Sequence, residues 1–289
     1  MKIVSLVVLA LLNAPLAVSL KAMSVTLLIK RNVFLVELVL VSALFPLQMK
    51  KMNNLKSAHR GFFLKELFMK NLKLNPRAYS KGEEIFNMIS HIVGGALGIV
   101  ALVLCIVFSA IHKNCYAIVS SIIYGTMMII LYTMSSIYHG LNPNIKAKKV
   151  FQLLDHCSIF LLIAGSYTPF CLVTFRTYNS VLGWTIFSII WAMAILGIVL
   201  NCIDIKKYET FSMICYLGMG WCIIFTAKLL AKLLGPYGII LLTTGGIAYT
   251  VGAILYVIGK RKKYMHSIFH LFIVLGSILH FFCILFYVI

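Results

Sequence analysis

The chain has 289 residues, of which 62% are hydrophobic and only 11% are charged, and its mean hydropathy is +1.00. A water-soluble protein of this length needs far more polar surface, so the composition excludes a soluble globular protein and indicates an integral membrane protein. The formal net charge of +19 does not indicate a nucleic-acid partner, because many of the lysines and arginines form short runs between apolar segments. Membrane lipids are the predicted partners.

Residues 1–78 form a basic and apolar N-terminal extension. Its first apolar run, up to about Leu20, resembles a secretory signal or a short first span, and a second run covers 33–47. Two interpretations stand. Either both runs are additional spans, or the extension is translated upstream sequence and the functional start lies near Met69.

From residue 84 onward, seven apolar stretches alternate with short polar breaks. Each has about the 20 residues that an α-helix needs to cross the hydrocarbon core, and lipid offers no hydrogen-bond partner to an open backbone. The sequence therefore predicts an all-α integral membrane protein, a seven-transmembrane-helix bundle with its core over about 84–289. The stretches lie near 85–111, 115–138, 151–175, 181–203, 211–234, 237–259 and 264–289.

Glycine and proline mark two interruptions in this pattern. Gly235 and Pro236 separate the fifth stretch from the sixth. Gly165 and Pro169 lie inside the third stretch, and they predict a kink there because proline removes a helical hydrogen bond.

The positive charge of the loops predicts the orientation. Cytoplasmic loops carry the excess of lysine and arginine, so the side with more of them is predicted to be cytoplasmic. This places the residues before the first span inside and the C-terminus outside, in a bacterial plasma membrane. One side carries nine positive residues and the other carries Lys113, Arg176, Lys228 and Lys232; the nine are Lys146, Lys148, Lys149, Lys206, Lys207, Lys260, Arg261, Lys262 and Lys263.

Two histidines, His266 and His270, lie four residues apart at the start of the last apolar stretch. This spacing is about one helical turn, so both imidazoles project from one side of the helix and could hold one metal ion. Polar residues in a membrane-length segment are costly and mark functional sites. Taken alone, the pair fits a metal site and a pair of interfacial histidines equally well.

The predicted topology places His91, His139 and Asp155 at the same depth as this pair, so four helices contribute to one polar layer. Three imidazoles without a thiolate match a zinc site of the catalytic type, in which three protein ligands leave the fourth position to water. Asp155 is the only acid clearly within a core span, and it is the candidate proton acceptor. Ser135, on the same helix face as His139, either donates a hydrogen bond to substrate or bonds its own backbone.

The remaining histidines and cysteines carry less information. His280 lies in mid-span and is predicted to pack or to form an interhelical hydrogen bond, and His112 is predicted to be solvated. The eight cysteines never form a CxxC motif, so they predict neither a disulfide framework nor a thiolate metal site.

Several motifs resemble those of bacterial haemolysin III proteins. That family belongs with the progestin and adipoQ receptors, including the adiponectin receptors, and more distantly with alkaline ceramidases. The resemblance covers about 79–289, which we take as one haemolysin III-like membrane domain. The motifs are Glu84-x2-Asn87-x3-His91, Ser135-x3-His139, Asp155-His156, Ala164-Gly165-Ser166-Tyr167-Thr168-Pro169-Phe170 and His266-x3-His270.

The resemblance implies a seven-helix bundle with a zinc ion near the cytoplasmic face. It assigns zinc ligation to His139, His266 and His270, and the positioning of a water molecule to Asp155 with support from Ser135. Related receptors are associated with hydrolysis of lipid amides such as ceramide. The resemblance also implies that the motif formed by Glu84, Asn87 and His91 lies around the ligands.

Three functions follow as hypotheses. The first is a zinc-dependent hydrolase of lipid amides or esters, with a lipid substrate. The second is a pore-forming protein associated with haemolysis, against which the scarcity of polar residues in the second, fourth and sixth stretches argues mildly. The third is a membrane sensor in which zinc is structural and no substrate is turned over.

Overall fold

The computed structural model describes residues 79–289, so the signal-like run, the additional spans and the alternative start predicted within 1–78 lie outside the described residues. The described part is all α-helical. Its longer helices are α1 Lys81–Ile111, α2 Cys115–Gly140, α3 Lys146–Pro169, α4 Ser180–Asp204, α5 Glu209–Trp221, α6 Ala227–Gly259 and α7 Met265–Tyr287.

Six helical segments of the described chain are long and apolar enough to cross a membrane, where the sequence predicted seven spans. The segments are Lys81–Ile111, Cys115–Gly140, Lys146–Tyr178, Ser180–Asp204, Glu209–Gly259 and Met265–Tyr287. Glu209–Gly259 has 51 residues and contains both the fifth and the sixth predicted spans. The protein is therefore an integral membrane protein with multiple spans.

The backbone departs from a regular α-helix at both places where glycine and proline predicted an interruption. Inside α6, Gly235 has φ 69° and ψ 179°, which is not a helical conformation, and Pro236 follows it. After Pro169 the helix continues as a π-helix over Phe170–Phe175, because proline cannot donate its backbone hydrogen bond. Between α5 and α6 the chain forms a short 3-10 helix, Cys222–Thr226.

The ends of the helices follow ordinary capping rules. Ser80 caps α1 in a capping box with Glu83, and Asn114 and Asn179 accept backbone hydrogen bonds at the starts of α2 and α4. Helices α1 and α3 begin at Lys81 and Lys146, about four residues before the apolar stretches predicted for them, because their polar first turns are helical too.

Polarity is distributed as expected of a protein in lipid. Large apolar side chains such as Ile111, Val181 and Phe225 face outward, whereas Asn87 and His139 are buried inside the bundle. Hydrocarbon cannot pair with polar groups, so polar side chains gain by meeting each other in the interior.

Glycines allow α6 and α7 to lie close together. Gly238, Gly245, Gly252 and Gly259 recur at every seventh position of α6 and all face α7. A methyl group at Gly259 would lie 2.9 Å from the backbone nitrogen of His266, so the end of α6 rests directly on the start of α7. Small residues at such contacts are typical of packed membrane helices.

Helix α5 also contacts α6 through side chains. Trp221 Nε1 donates a hydrogen bond to Thr250 Oγ1 at 2.9 Å, and the Tyr256 hydroxyl donates to Glu209 Oε1 at 2.9 Å. Lys260 Nζ forms an ion pair with the same Glu209 oxygen at 2.9 Å. The start of α5 therefore lies beside the end of α6.

The α1–α2 contact yields a first testable prediction. A methyl group at Gly125 would lie 2.7 Å from the Leu102 Cα, a distance that backbone atoms relieve only by moving. We expect Gly125→Ala to destabilise the protein by about 1–3 kcal/mol, the usual cost of overpacking. The measurement is thermal unfolding of the detergent-solubilised protein.

Gly218→Ala is the matched control, because a methyl group there has nothing within 4 Å. Alanine is a better helix former than glycine by up to about 1 kcal/mol, so this variant should unfold at the same temperature as the wild type or higher. Equal unfolding temperatures for the two variants would contradict the close α1–α2 contact.

Candidate metal centre

Three buried histidines meet at one end of the bundle. His139 lies in the last turn of α2, and His266 and His270 lie in the first two turns of α7. One ring nitrogen from each residue can be chosen so that all three lie within 4.8 Å of one another. The sequence predicted this triad from the two His motifs, and the fold brings it together.

The spacing of the nitrogens suits a shared metal ion. His266 Nε2 and His270 Nε2 lie 3.1 Å apart. Two nitrogens bound to one tetrahedral zinc ion, each about 2.0–2.1 Å from it, are separated by roughly 3.3 Å. Imidazole suits zinc and also copper, iron and nickel, so the donor set fits a transition-metal ion without selecting one.

His139 is oriented by a carboxylate. Its Nδ1 donates a hydrogen bond to Glu84 Oε2 at 2.6 Å, and Asn87 Nδ2 lies 3.5 Å from the same nitrogen. Its other nitrogen, Nε2, is buried without a hydrogen-bond partner in the described part of the chain. A histidine that donates from one nitrogen to a carboxylate and offers the other to a metal is the usual arrangement in metalloproteins.

Glu84 itself is held by a lysine. Lys148 Nζ donates a hydrogen bond to Glu84 Oε1 at 2.6 Å, so the two carboxylate oxygens have different partners. Sequence analysis missed this role and counted Lys148 as a loop charge; Lys148 instead belongs to the first turn of α3 and is fully buried. Spacing alone does not distinguish Lys148 from Lys146 and Lys149.

A fourth histidine, His91, packs beside the triad. Its ring centroid lies 3.9 Å from that of His270, and the ring meets Tyr132 edge-on at 5.0 Å. Both nitrogens of His91 are buried, and neither has a hydrogen-bond partner among residues 79–289. The fold thus gathers the whole predicted motif of Glu84, Asn87 and His91 around the triad.

Tyr79 and Glu83 also form contacts around the triad and the start of α7, and the sequence predicted a role in the site for neither. The Tyr79 ring stacks on His266 with 4.7 Å between centroids. Glu83 Oε1 accepts a hydrogen bond of 2.7 Å from the backbone nitrogen of Tyr264, which has a left-handed φ of 63° just before α7. Glu83 therefore ties the start of α1 to the start of α7.

A cavity of about 600 Å³ adjoins the triad. Its polar wall includes Ser135 and Asp155, the two residues predicted to support chemistry, together with His266 and His270. Asp155 is half-buried and Ser135 is buried. The roles predicted for these two residues stay predictions.

The rest of the cavity is mainly apolar and reaches between α3, α5 and α6. Apolar residues on this part of its wall include Leu162, Phe170, Leu217, Ile223 and Leu242. His280 also lines the cavity, and its Nε2 donates a hydrogen bond to the Leu242 carbonyl at 3.2 Å, which confirms the predicted interhelical bond. His112, which was predicted to be solvated, has an exposed side chain.

Known proteins are similar in sequence to this part of the chain. The family described as Haemolysin-III related matches residues 79–281. The chain is 43% identical over 206 residues to Hemolysin-3 of Bacillus cereus, covering 71% of the chain and 92% of the relative. It is 41% identical over 205 residues to the Hemolysin-3 homolog of Bacillus subtilis strain 168, covering 71% and 94%.

A more distant relative is human. The chain is 25% identical over 204 residues to the monocyte to macrophage differentiation factor of Homo sapiens, covering 69% of the chain and 79% of the relative. The family match at 79–281 includes all the histidines, carboxylates and the lysine of the centre described above.

The triad yields the second prediction. We expect the purified protein to retain about one transition-metal ion per chain, as a site with three protein ligands does. His270→Ala should lose most of this metal, because two ligands hold an ion far more weakly than three. Elemental analysis of the purified protein measures the metal directly.

His112→Ala is the control, since this exposed histidine lies at the other end of α1 from the triad. Its metal content should equal that of the wild type. Equal metal content in the His270→Ala protein would contradict a metal site at the triad.

Proposed function

The chain belongs to the haemolysin III-related family, and on this premise we propose that it is a zinc-dependent hydrolase of lipid amides or esters resident in the membrane. One observation carries the proposal: two members of the buried histidine triad, His266 and His270, form part of the wall of a cavity that is otherwise mainly apolar. A triad of this kind supports polar chemistry, and the apolar wall suits an acyl chain.

A zinc ion held by His139, His266 and His270 would supply a Lewis acid and lower the pKa of a bound water to about 7. Asp155, on the cavity wall, accepts the proton of the attacking water and delivers it to the departing amine or alcohol. Ser135 donates a hydrogen bond to the carbonyl oxygen of the substrate as negative charge develops there.

The apolar part of the cavity holds the acyl chain and excludes bulk water from the scissile bond. Burial of an acyl chain contributes about 0.8 kcal/mol per methylene group, so a long chain gives substantial affinity without polar contacts. The substrate class is therefore a lipid with one acyl chain joined through an amide or an ester.

We further propose that the bundle crosses the membrane seven times. The 51-residue segment would be about 75 Å long as one straight helix, more than twice the roughly 30 Å of the hydrocarbon core. The contacts of Glu209 with Tyr256 and of Trp221 with Thr250 support an antiparallel arrangement of α5 and the second half of α6. Gly235 lies midway between them and provides the turn.

With seven crossings, the loop charges support an orientation in which the metal centre lies near the cytoplasmic face and the C-terminus lies outside. Two of the loops predicted to be cytoplasmic support this orientation. One contains Lys206 and Lys207, and the other contains the basic run 260–263.

The third prediction concerns this topology. A periplasmic reporter such as alkaline phosphatase should be active when fused after Ile289 and inactive when fused after Lys262, and a cytoplasmic fluorescent reporter should give the opposite result. Six crossings from the same cytoplasmic start, with Glu209–Gly259 as a single crossing, would place Lys262 outside and Ile289 inside. An active phosphatase after Lys262 together with an inactive one after Ile289 would therefore contradict the seven-crossing topology.

The fourth prediction tests the hydrolase. Asp155→Asn should lower turnover of a ceramide or an acyl ester by at least about 100-fold, because removal of a general base commonly costs this much. Metal content should be unchanged, since Asp155 is not a ligand in this proposal. Liberated fatty acid is measured with the protein in detergent micelles.

Asp204→Asn is the control, because Asp204 lies outside the cavity lining and its Oδ1 accepts a hydrogen bond from the Lys207 backbone. Undiminished turnover in Asp155→Asn, or in the metal-depleted His270→Ala protein, would overturn the proposed mechanism.

Haemolysis is the second candidate, favoured by the names of the two Bacillus relatives. A pore formed by this chain needs a polar path across the bundle, whereas the cavity described here has a largely apolar wall. Purified protein in liposomes separates the two functions. Dye leakage without lipid conversion favours a pore, and lipid conversion that precedes leakage favours lysis through hydrolysis.

A further inference from the structure

Lys148 is fully buried in the bundle, with no exposed side-chain surface. Lysine is almost never buried completely unless its charge is paired, because desolvation of an ammonium group is costly. Neighbouring Lys146 is exposed although it lies in the same first turn of α3. The burial of Lys148 therefore reflects its contacts and not the general position of this turn.

The contacts of Lys148 link three helices. Its Nζ donates to Glu84 Oε1 of α1 at 2.6 Å and to the backbone carbonyl of Leu141 at 3.0 Å, just after the last residue of α2. It also lies 4.9 Å from the centre of the Tyr138 ring. A cation is favourable at a helix C-terminus, where the unpaired carbonyls carry partial negative charge.

The position of Glu84 depends on two partners. Oε2 accepts the hydrogen bond from His139 Nδ1, and Oε1 accepts the hydrogen bond from Lys148. With one partner on each oxygen, rotation of the carboxylate would break both bonds at once. Glu84 therefore has one orientation, and the imidazole of His139 has one orientation with it.

We propose that Lys148 is a positioning residue of the metal centre: by holding Glu84, it keeps the His139 imidazole turned so that Nε2 faces the other two histidines. The inference rests on the metal site of the proposed function and does not depend on hydrolysis. Lys148 acts through Glu84 and contacts neither metal nor substrate.

The test compares zinc affinity in four proteins: wild type, Lys148→Met, Glu84→Gln and the double variant. Affinity is measured by competition with a chelator of known zinc affinity. We expect Lys148→Met to weaken zinc binding by about 10- to 100-fold, the usual effect of removing a residue that orients a metal ligand. Lys146→Met, at the exposed lysine of the same turn, should bind zinc like the wild type.

The decisive comparison is made in the Glu84→Gln background. If Lys148 acts through Glu84, its replacement there should add less than about a twofold further loss, because coupled residues are not additive. The visible spectrum of the cobalt-loaded protein gives a second readout, since its bands report the arrangement of the ligands. Lys148→Met should change this spectrum in the wild-type background and leave it unchanged in the Glu84→Gln background.

Two results would overturn the inference. One is wild-type zinc affinity in Lys148→Met, and the other is an equal loss of affinity in both backgrounds. If Lys148→Met alone does not fold, the double variant, which removes both charges of the pair, decides the matter by comparison with Glu84→Gln. Zinc affinity in the double variant that matches Glu84→Gln supports the inference, and weaker affinity overturns it.

The outcomes are separable from those of the proposed function. If the wild-type protein binds zinc but hydrolyses no lipid, the hydrolase proposal fails and the role proposed for Lys148 stands. If the wild-type protein binds no zinc, both the metal centre and the role of Lys148 are contradicted. Zinc binding by the wild type is therefore measured first.

Discussion

The organisation of this bundle depends on the ion pairs of the Glu84 carboxylate, which is half-buried at one end of the bundle. A charged group inside a membrane protein must be paired, and Glu84 meets this requirement with His139 on one oxygen and Lys148 on the other. These three residues come from the first three helices, so one pairing sets the relative positions of α1, α2 and α3 at this end of the bundle. His139 extends the cluster toward His266 and His270 of α7.

Close packing of α6 against α7 also helps to position the triad. Glycines at every seventh position of α6 let α7 approach closely, and the last of them, Gly259, contacts the backbone of His266. Glu83 joins the start of α1 to Tyr264 at the entrance to α7. The triad is thus held by backbone contacts on one side and by a paired carboxylate on the other. Most of the wall of the cavity beside it consists of apolar side chains.

Much of this arrangement could be predicted from the sequence. The i, i+4 pair of histidines, together with the alternation of apolar stretches, placed His139 and the pair at one level before any contact was known. The predicted topology placed His91 at the same level as well, whereas Glu84 was expected near the ligands only through a family motif. Lys148 and Glu83 were not identified, because their function depends on partners 64 and 181 residues away in the chain, at the carboxylate of Glu84 and the backbone of Tyr264.

By itself, the sequence determined that the protein lies in a membrane, where its helices run, and which three histidines are suited to a shared ion. Hydropathy and helical period are local properties of the chain, and they are sufficient for these conclusions. Only the tertiary structure decided which of several lysines is buried, which oxygen of Glu84 each partner takes, and how the cavity is walled. These features depend on contacts between side chains of helices that are far apart in the sequence. A local sequence pattern does not specify such contacts.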